Sequence, residues 1–252
     1  TVYIAARDVS TLESTAAELT AQSGGAGKCI ALQGNLGSRE GCEQLAAAIG
    51  EHEPDGLHVL INNSGTSWGE PLSRTSGRMN WGWDKVLDLN IKAPFYLTRA
   101  LLPSLRRAAA EDDPARVIMI GSVVGITPQG VPTHAYDASK AALHSLTRKL
   151  AFELASHAAS GEDAGDIDAG RVTVNAIAPG FVPTKMTQGL ATWGAKADST
   201  AAATPLGRLG KGSDLAGAAL YLASPAGSWV SGAILPVDGG ILTQPLQVGV
   251  ED

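Results

Sequence analysis

Short apolar runs alternate with longer amphipathic stretches along most of the chain. The apolar runs are continuous, as in "VYIAA" near the start and "RVIMIGS" near the middle. Such continuous runs are typical of strands that helices cover on both faces of a parallel sheet. Because strand and helix patterns alternate repeatedly, the sequence predicts an α/β fold with a doubly wound parallel sheet in three α/β/α layers.

The amphipathic stretches predict five main helices. The first covers residues 10–22, with Ser10 as its N-cap and Glu13 completing a capping box. The others are expected at residues 39–51, at residues 83–107, from Tyr136 onward and near residues 214–222. In the helix from Tyr136, apolar side chains recur every four residues and predict one buried stripe. This stripe consists of Ala138, Ala142, Leu146, Leu150 and Leu154.

Two segments depart from the strand–helix pattern. Residues 157–170 are small, polar and acidic, so we expect an exposed loop there. Residues 73–83 carry Gly, Ser and Arg around two tryptophans, and they form either a surface excursion or one wall of a cleft.

Composition and charge narrow the class of protein. The 252 residues suit one large domain, and 44% hydrophobic residues provide an ample core. A net charge of -6 without any basic run gives no basis for binding nucleic acid. No apolar run is long enough to span a membrane, and we expect a cytoplasmic protein without membrane association.

Cysteines and other potential metal ligands add no site of their own. Cys29 and Cys42 are too few for a disulfide framework and are predicted to be reduced packing residues. No His, Asp and Glu cluster has the spacing of a catalytic metal site, so we expect no bound metal. His144 and His157 are predicted to lie at the surface, and His134 in a loop.

A tyrosine and a lysine four residues apart carry the first chemical signal. In "YDASK", Tyr136 and Lys140 project from one face of the first helical turn. A phenol has a pKa of about 10, and a nearby cation favours the phenolate, which would make Tyr136 a usable proton donor. An exposed Tyr–Lys pair without function has the same spacing, so this pair alone does not decide between the two interpretations.

The ends of three apolar strands strengthen the catalytic interpretation. Ser122 follows "IMIG", and the strands "LINNSG" and "NAIAPG" also end in polar or glycine-bearing turns. Ligands of open parallel sheets bind beyond the carboxyl ends of the strands. These residues are therefore expected at one ligand-binding edge.

Together these motifs resemble the short-chain dehydrogenase/reductase family over nearly the whole chain. The motifs that carry the resemblance are "LINNSG", "DLN", "IGSVVG", "YDASK", "NAIAPGFVPT" and "GAILPVDGG". Within the family, "NNSGTSWG" and "SKAALH" resemble the rhamnolipid-type 3-oxoacyl reductases and their fungal relatives. The resemblance implies a Rossmann-type fold.

The resemblance also implies roles for four residues. Tyr136 would protonate the carbonyl oxygen of the substrate, and Ser122 would hydrogen-bond that oxygen as it becomes negative. Lys140 would hold the nicotinamide ribose and lower the pKa of Tyr136. Asn90 would support a water-mediated proton relay.

A set of cofactor-binding residues follows from the same resemblance. Besides Tyr136 and Lys140, they are Arg7, Asn35, Leu36, Asn62, Ser64, Gly65, Pro179, Gly180, Val182 and Thr184. Ala6 occupies the position where the family's NAD enzymes carry an acid, and Arg7 follows it, so NADP (NADPH) is the expected cofactor. Alternatively, Arg7 is a solvated turn residue that pairs with Asp8.

Residues 183–205 lie where the family has a mobile substrate lid. Met186, Leu190 and Trp193 share one apolar helical face there, and Trp68 would lie opposite them. These residues form either an apolar wall over an acyl-type substrate or a simple packing surface.

The opening segment raises a separate expectation. "VYIAA" corresponds to the family's second strand, and the first strand with its glycine-rich turn is missing from the 252 residues. We therefore expect residues 1–252 to form a single dinucleotide-binding domain that is N-terminally incomplete. The missing strand is a central one in this fold, so its two neighbours would have open edges.

The leading hypothesis is an NADPH-dependent carbonyl reductase that acts on a 3-oxoacyl thioester or a secondary-metabolite ketone. One alternative is a non-catalytic binding protein of the same fold. The other is an NAD-linked alcohol dehydrogenase. The family implies a homodimer or homotetramer.

Overall fold

The computed structural model of the chain describes residues 1–76, 80–110, 112–155, 171–189, 194 and 196–244. Six strands run through the described residues: β1 (Val2–Ala6), β2 (Cys29–Gln33), β3 (Val59–Asn62), β4 (Ala115–Ile120), β5 (Val172–Pro179) and β6 (Ile234–Val237). The predicted strands are all present, and all pairings between them are parallel.

The α-helices of the described residues are α1 (Val9–Gln22), α2 (Arg39–His52), α3 (Trp83–Leu87), α4 (Ala93–Ala108), α5 (His134–Ala155), α6 (Lys185–Gln188), α7 (Ala197–Ala202) and α8 (Gly212–Ala223). A π-helical turn at Asp88–Lys92 joins α3 to α4. Short 3-10 turns among the described residues include Val123–Gly125, Pro225–Gly227 and Ile241–Thr243.

Helices cover both faces of the sheet, which confirms the predicted doubly wound α/β fold. On one face, side chains of α2, α4 and α5 pack with the strands in the larger hydrophobic core. On the other face, α8 packs against Ile118 of β4 and Ile177 of β5. β4 and β5 are almost fully buried, as the continuous apolar pattern of their sequences predicted.

The sheet is divided between β1 and β3. Strands β1 and β2 pair with each other, and the remaining strands pair in the order β3-β4-β5-β6. A cleft of about 840 Å³ separates the two parts, and mostly apolar side chains line it. Ile61 in β3 is 43% exposed although it lies in a strand of the sheet.

The start of α1 differs from the prediction. Asp8, not Ser10, is the N-cap, and its Oδ1 accepts a hydrogen bond of 3.2 Å from the backbone N–H of Thr11. The hydroxyl of Ser10 instead donates to Asp8 Oδ1. Asp8 takes this role because the helix begins at Val9, one residue earlier than predicted. The Asp8 carboxylate therefore serves the cap.

The buried face of α5 also differs from the predicted stripe. Ala138 and Ala142 are exposed, whereas Leu150 and Leu154 are buried as predicted. The buried face includes polar residues that an apolar pattern does not reveal, namely Ser139, Lys140, His144 and Thr147. The period-four stripe was therefore wrong in its first half, because α5 turns its polar residues toward the site.

Several predicted segments fall outside the described residues. They include the acidic loop at 157–170 and part of the lid at 183–205. Among the helices that the structure describes, none is long and apolar enough to cross a lipid bilayer.

Candidate active site

Ser122 lies directly after β4, at the carboxyl edge of the sheet. It is 8% exposed and caps the 3-10 turn at Val123–Gly125, where its Oγ accepts a hydrogen bond of 3.4 Å from Val124 N. The preceding Gly121 donates its backbone N–H to Ile177 O of β5 at 2.7 Å. The end of the sheet thus fixes the backbone on which Ser122 stands.

Tyr136 and Lys140 extend from the first turns of α5 toward Ser122. The Ser122 hydroxyl is a hydrogen-bonding neighbour of the Tyr136 hydroxyl and lowers the pKa of that phenol. Lys140 Nζ lies 5.5 Å from the centroid of the Tyr136 ring and donates to Ile120 O of β4 at 2.6 Å. The structure therefore brings the serine, the tyrosine and the lysine together at one strand end.

Burial governs the titration of this tyrosine and this lysine. It raises the pKa of Tyr136 above its ordinary value, against the lowering effect of the Ser122 hydrogen bond, and the nearby Asp137 carboxylate raises it further. Burial also lowers the pKa of Lys140 to about 8. The sequence predicted a lowered pKa for Tyr136, and here the pKa shift has the opposite sign. The reason is that desolvation penalises the phenolate more than its surroundings stabilise it.

Asn90 lies in the π-helical turn and links three parts of the site. Its Oδ1 accepts from Thr66 N at 2.8 Å, and its Nδ2 donates to Thr66 O at 3.0 Å and to Ser139 Oγ at 2.9 Å. Ser139 Oγ donates in turn to Tyr136 O at 2.7 Å. Asn90 thus ties the loop after β3 to the first turn of α5.

The loop after β3 passes close to Lys140. A Cβ placed on Gly65 would lie 3.2 Å from Asn90 Oδ1 and 3.9 Å from Lys140 Nζ. A bare backbone at this point leaves space beside the lysine. A flat group bound at this edge would fit against that backbone.

His144 is buried beneath the site, which corrects the prediction that it lies at the surface. It is 3% exposed, its ring packs against Gly121 and Gly125, and its buried Nε2 has no hydrogen-bond partner. Burial and the charges of Arg148 and Lys140 lower the pKa of His144 to about 4. The histidine was misplaced because its buried neighbours come from β4 and the following turn, not from α5 itself.

The first two strands bring Arg7, Asn35 and Leu36 to the same edge. Arg7 is exposed just after β1, and its carbonyl accepts a hydrogen bond from Gln33 Nε2 at 3.2 Å. Asn35 follows β2, and its Oδ1 accepts from Gly37 N at 3.2 Å. Leu36 packs against the main core. An exposed cation and an amide at one edge of a parallel sheet are suited to a phosphorylated ribose and its base.

Asn62 and Ser64 come from β3 and the loop that follows. The Asn62 side chain turns into the core, where Nδ2 donates to Thr98 Oγ1 at 3.2 Å and to Met119 Sδ at 3.3 Å. This leaves its backbone, not its amide, for contact with a ligand. Ser64 lines the cleft between β1 and β3.

The residues after β5 lie on the other side of the edge. Pro179 ends β5, and the N–H of Gly180 donates to Val237 O of β6 at 3.0 Å. Val182 packs close to Gly210, and the Thr184 side chain caps α6 by accepting from Thr187 N at 3.2 Å. Here the hydroxyl of Thr184 is engaged in the cap.

The predicted substrate residues are only partly described. Trp68 is 42% exposed in the loop after β3, and Met186 is exposed on α6. Leu190 and Trp193 lie outside the described residues. Sequence reasoning missed Glu70, a fully buried carboxylate that contacts Trp68, because nothing in the local pattern marks it as buried.

Taken together, the carboxyl edge holds a phenol within reach of a serine hydroxyl, with an ammonium group beside it. Such a set can donate a proton to an oxygen atom and stabilise charge on it. In the part of the chain that the structure describes, no group of three His, Cys, Asp or Glu residues could hold a metal ion.

Comparison with known proteins identifies similar sequences over most of the chain. A family model described as Enoyl-(Acyl carrier protein) reductase matches residues 1–242. The chain is 41% identical to the rhamnolipids biosynthesis 3-oxoacyl-[acyl-carrier-protein] reductase of Pseudomonas aeruginosa, over 95% of this chain and 85% of that protein. It is 35% identical to a galactitol 2-dehydrogenase (L-tagatose-forming) of Cereibacter sphaeroides, over 79% of this chain and 71% of that protein.

Solved structures show the same similarity. The Pseudomonas aeruginosa RhlG/NADP active-site complex has a TM-score of 0.81 and 40% identity, with 95% of this chain and 86% of that chain covered. A glucose/ribitol dehydrogenase of Brucella melitensis has a TM-score of 0.76 and 28% identity, with 95% and 85% covered.

Proposed function

This chain belongs to the short-chain dehydrogenase/reductase family, and on that premise we propose that it is an NADPH-dependent carbonyl reductase. Its substrate is a ketone of the 3-oxoacyl thioester or secondary-metabolite type. The observation that carries the proposal is the meeting of Ser122, Tyr136 and Lys140 at one strand end. Similarity to a 3-oxoacyl-[acyl-carrier-protein] reductase supports the acyl thioester as the substrate class.

The reaction needs a proton at the carbonyl oxygen and a hydride at the carbonyl carbon. Bound NADPH supplies the hydride. Tyr136 supplies the proton from its hydroxyl, which its raised pKa keeps protonated at neutral pH. Ser122 donates a hydrogen bond to the same oxygen, and the buried Lys140 contributes positive charge beside the phenol.

After the proton has left, Tyr136 must regain one. The Lys140 ammonium lies 5.5 Å from the centroid of the Tyr136 ring, and its pKa of about 8 is low enough to let it share a proton with its surroundings. The chain from Asn90 through Ser139 to the Tyr136 carbonyl holds the helix turn in place while this happens. Asn90 therefore fixes the backbone at Tyr136, in addition to the water-mediated proton relay that the family resemblance implies for it.

The cofactor is held along the carboxyl edge of the sheet. Arg7 would hold the extra phosphate of NADP and Asn35 the adenine, and the bare backbone at Gly65, close to Lys140, would leave room for the nicotinamide ribose. The backbone from Pro179 to Val182 borders the nicotinamide. Similarity to an NADP complex supports the choice of this cofactor.

Replacement of Tyr136 by phenylalanine tests the proposal. The ring and its packing remain, but the proton donor is lost, so ketone reduction should fall by at least about a hundredfold. NADPH consumption is followed with a panel of 3-oxoacyl thioesters and cyclic ketones, and the affinity for NADPH is measured separately. We expect that affinity to change less than about threefold, since the ring still packs in place.

The control is Tyr221→Phe, which removes a hydroxyl from a half-exposed tyrosine on α8 and should leave turnover unchanged. Full activity of Tyr136→Phe would refute Tyr136 as the proton donor. If the parent chain binds NADPH and reduces no ketone in the panel, the chain is a non-catalytic binding protein.

The same proposal includes a homodimer or homotetramer. Phe152 on α5 is 75% exposed, and Phe95 on α4 is also exposed, so both helices present aromatic surface that a second copy can cover. Light scattering measures the mass of the particle, and a monomer at micromolar concentration would contradict this part of the proposal.

A further inference from the structure

A buried carboxylate holds the exposed tryptophan beside the site. Glu70 is 2% exposed, and its Oε2 accepts a hydrogen bond of 3.0 Å from Trp68 Nε1. Its Oε1 accepts from Arg74 Nη1 at 2.7 Å, which forms an ion pair with a partly exposed arginine. Both oxygens of a buried charge are therefore satisfied, as the cost of burying that charge requires.

Two further contacts fix the indole. The backbone N–H of Glu70 donates to Pro132 O at 2.9 Å, which joins this loop to the segment that leads into α5. Gly82 has φ +70°, and a Cβ there would collide with the Trp68 side chain. The indole therefore packs on bare backbone at one side while its N–H is held at the other.

Hydrogen bonds and short sequence separations keep this loop close to the proposed catalytic residues. The backbone N–H and the carbonyl of Thr66 both form hydrogen bonds with the Asn90 side chain, and Gly65 lies beside Lys140. Two residues span at most about 7 Å, so the Trp68 backbone lies within that distance of Thr66. Pro132 is likewise only four residues before Tyr136.

We propose that Glu70 is a positioning residue that fixes the Trp68 indole as a rigid apolar wall for the acyl portion of the substrate. This inference rests on the proposed function and adds a residue that determines which acyl chain lengths the substrate site prefers. With its N–H bound to Glu70, the indole can present only its carbon surface to a ligand. An indole held in one rotamer binds an acyl chain without the entropy cost of ordering a mobile side chain.

The test compares two replacements of Glu70 on a long and a short substrate. Glu70→Ala removes the acceptor, and the KM for 3-oxodecanoyl thioester should rise by about three- to tenfold with kcat changed less than about twofold. Glu70→Gln keeps an oxygen for the indole N–H, and it should restore the KM to within about twofold of the parent. The KM for 3-oxobutanoyl thioester, which lacks the long acyl portion that the indole is proposed to contact, should stay near the parent value in both variants.

Glu43→Ala is the matched control. Glu43 forms an ion pair with Arg39 at 2.7 Å and the same four-residue separation, but it is exposed on α2. Its replacement should leave both KM values unchanged.

Three results would overturn the inference. They are an unchanged KM for the long thioester in Glu70→Ala, an equal loss of kcat on both substrates, and a failure of Glu70→Gln to restore the KM. Failure of the proposed function is distinguished from these results, because the parent chain itself would then reduce neither thioester. Binding of a non-reducible decanoyl thioester, measured by calorimetry, should weaken in Glu70→Ala by the same factor as the KM rises.

Discussion

At the scale of single residues, the end of β4 and the start of α5 bring Ser122, Tyr136 and Lys140 together. The sequence singled out these three residues because their chemistry and spacing are unusual for a turn and a helix start. His144 was misplaced because the turns that bury it lie about twenty residues away in the chain, and Glu70 was missed because its polar partners Trp68 and Arg74 do not reveal that its carboxylate is buried. A residue of ordinary type can be assigned to such a role only when its tertiary neighbours are known.

Arg7 provides a prediction at this scale. If its guanidinium binds the additional phosphate of NADPH, Arg7→Ala should weaken NADPH binding by about tenfold or more and change NADH binding little. Titration of the purified variant with each cofactor gives the two dissociation constants. Arg107→Ala is the control, because Arg107 donates to Pro54 O near the end of α4, away from this edge. An equal loss of affinity for both cofactors would contradict the assignment.

At the scale of elements, strand positions were predicted better than helix faces. The strands are nearly uniform in polarity and bounded by turns, so their pattern alone gave their positions. The long helix predicted for residues 83–107 is in fact α3, a π-helical turn and α4, and the turn places Asn90 where it reaches Thr66. A local widening of a helix leaves no periodicity signal strong enough to detect in one sequence.

Helix α5 shows the same limit. Its first half is covered by the 3-10 turn at Val123–Gly125, so the buried positions there carry Ser139, Lys140 and His144. Apolar periodicity identified the buried face only in the second half of the helix. Polar side chains can be buried when a neighbouring element covers them and supplies hydrogen-bond partners. The sequence of the helix alone does not show where that element lies.

His144 makes the free energy of unfolding depend on pH, and this dependence can be measured. Its pKa falls from 6.5 to about 4 in the folded chain, because burial and the charges of Lys140 and Arg148 disfavour the imidazolium. Between these two pH values the unfolded chain binds more protons than the folded one. The stability that His144 contributes is therefore present above pH 6.5 and is lost as the pH falls toward 4.

We expect His144→Gln to have a lower free energy of unfolding than the parent at neutral pH. On acidification, this difference in free energy should shrink by at least about 1 kcal/mol. Urea unfolding at a series of pH values gives the free energies. His58→Gln, which removes an exposed imidazole, is the control for the loss of one histidine. Parallel pH profiles of the parent and His144→Gln would show that His144 is not the titrating group.

At the scale of the whole molecule, the divided sheet is the feature with the largest energetic consequence. β1 and β3 are the ends of two parallel strand sets, and the cleft between them is lined by apolar side chains of both. Val2 is 59% exposed, and Ile61 is exposed as well. Strands of a doubly wound sheet are normally buried on both faces and paired on both edges, so the apolar lining of this cleft suits one more parallel strand.

A strand supplied to this cleft should therefore stabilise the fold. We predict that fusion of an apolar strand, a glycine-rich turn and a helix in front of Val2 raises the free energy of unfolding by several kcal/mol. The reason is that the added strand would bury apolar surface at about 25 cal/mol per Å² and form backbone hydrogen bonds with both neighbours. It should also raise the urea m-value, since more surface becomes exposed on unfolding.

The control is a fusion of equal length and composition in which the apolar residues of the strand are scrambled with polar ones. It adds the same chain but cannot fill the cleft with a continuous apolar run, so its stability should match that of the parent. If both fusions raise the free energy of unfolding equally, the gain comes from the added chain in general and the cleft is not a strand site. If neither does, the two parts of the sheet close on each other in solution, and proteolysis at the β1 edge would then be slow in the parent chain as well.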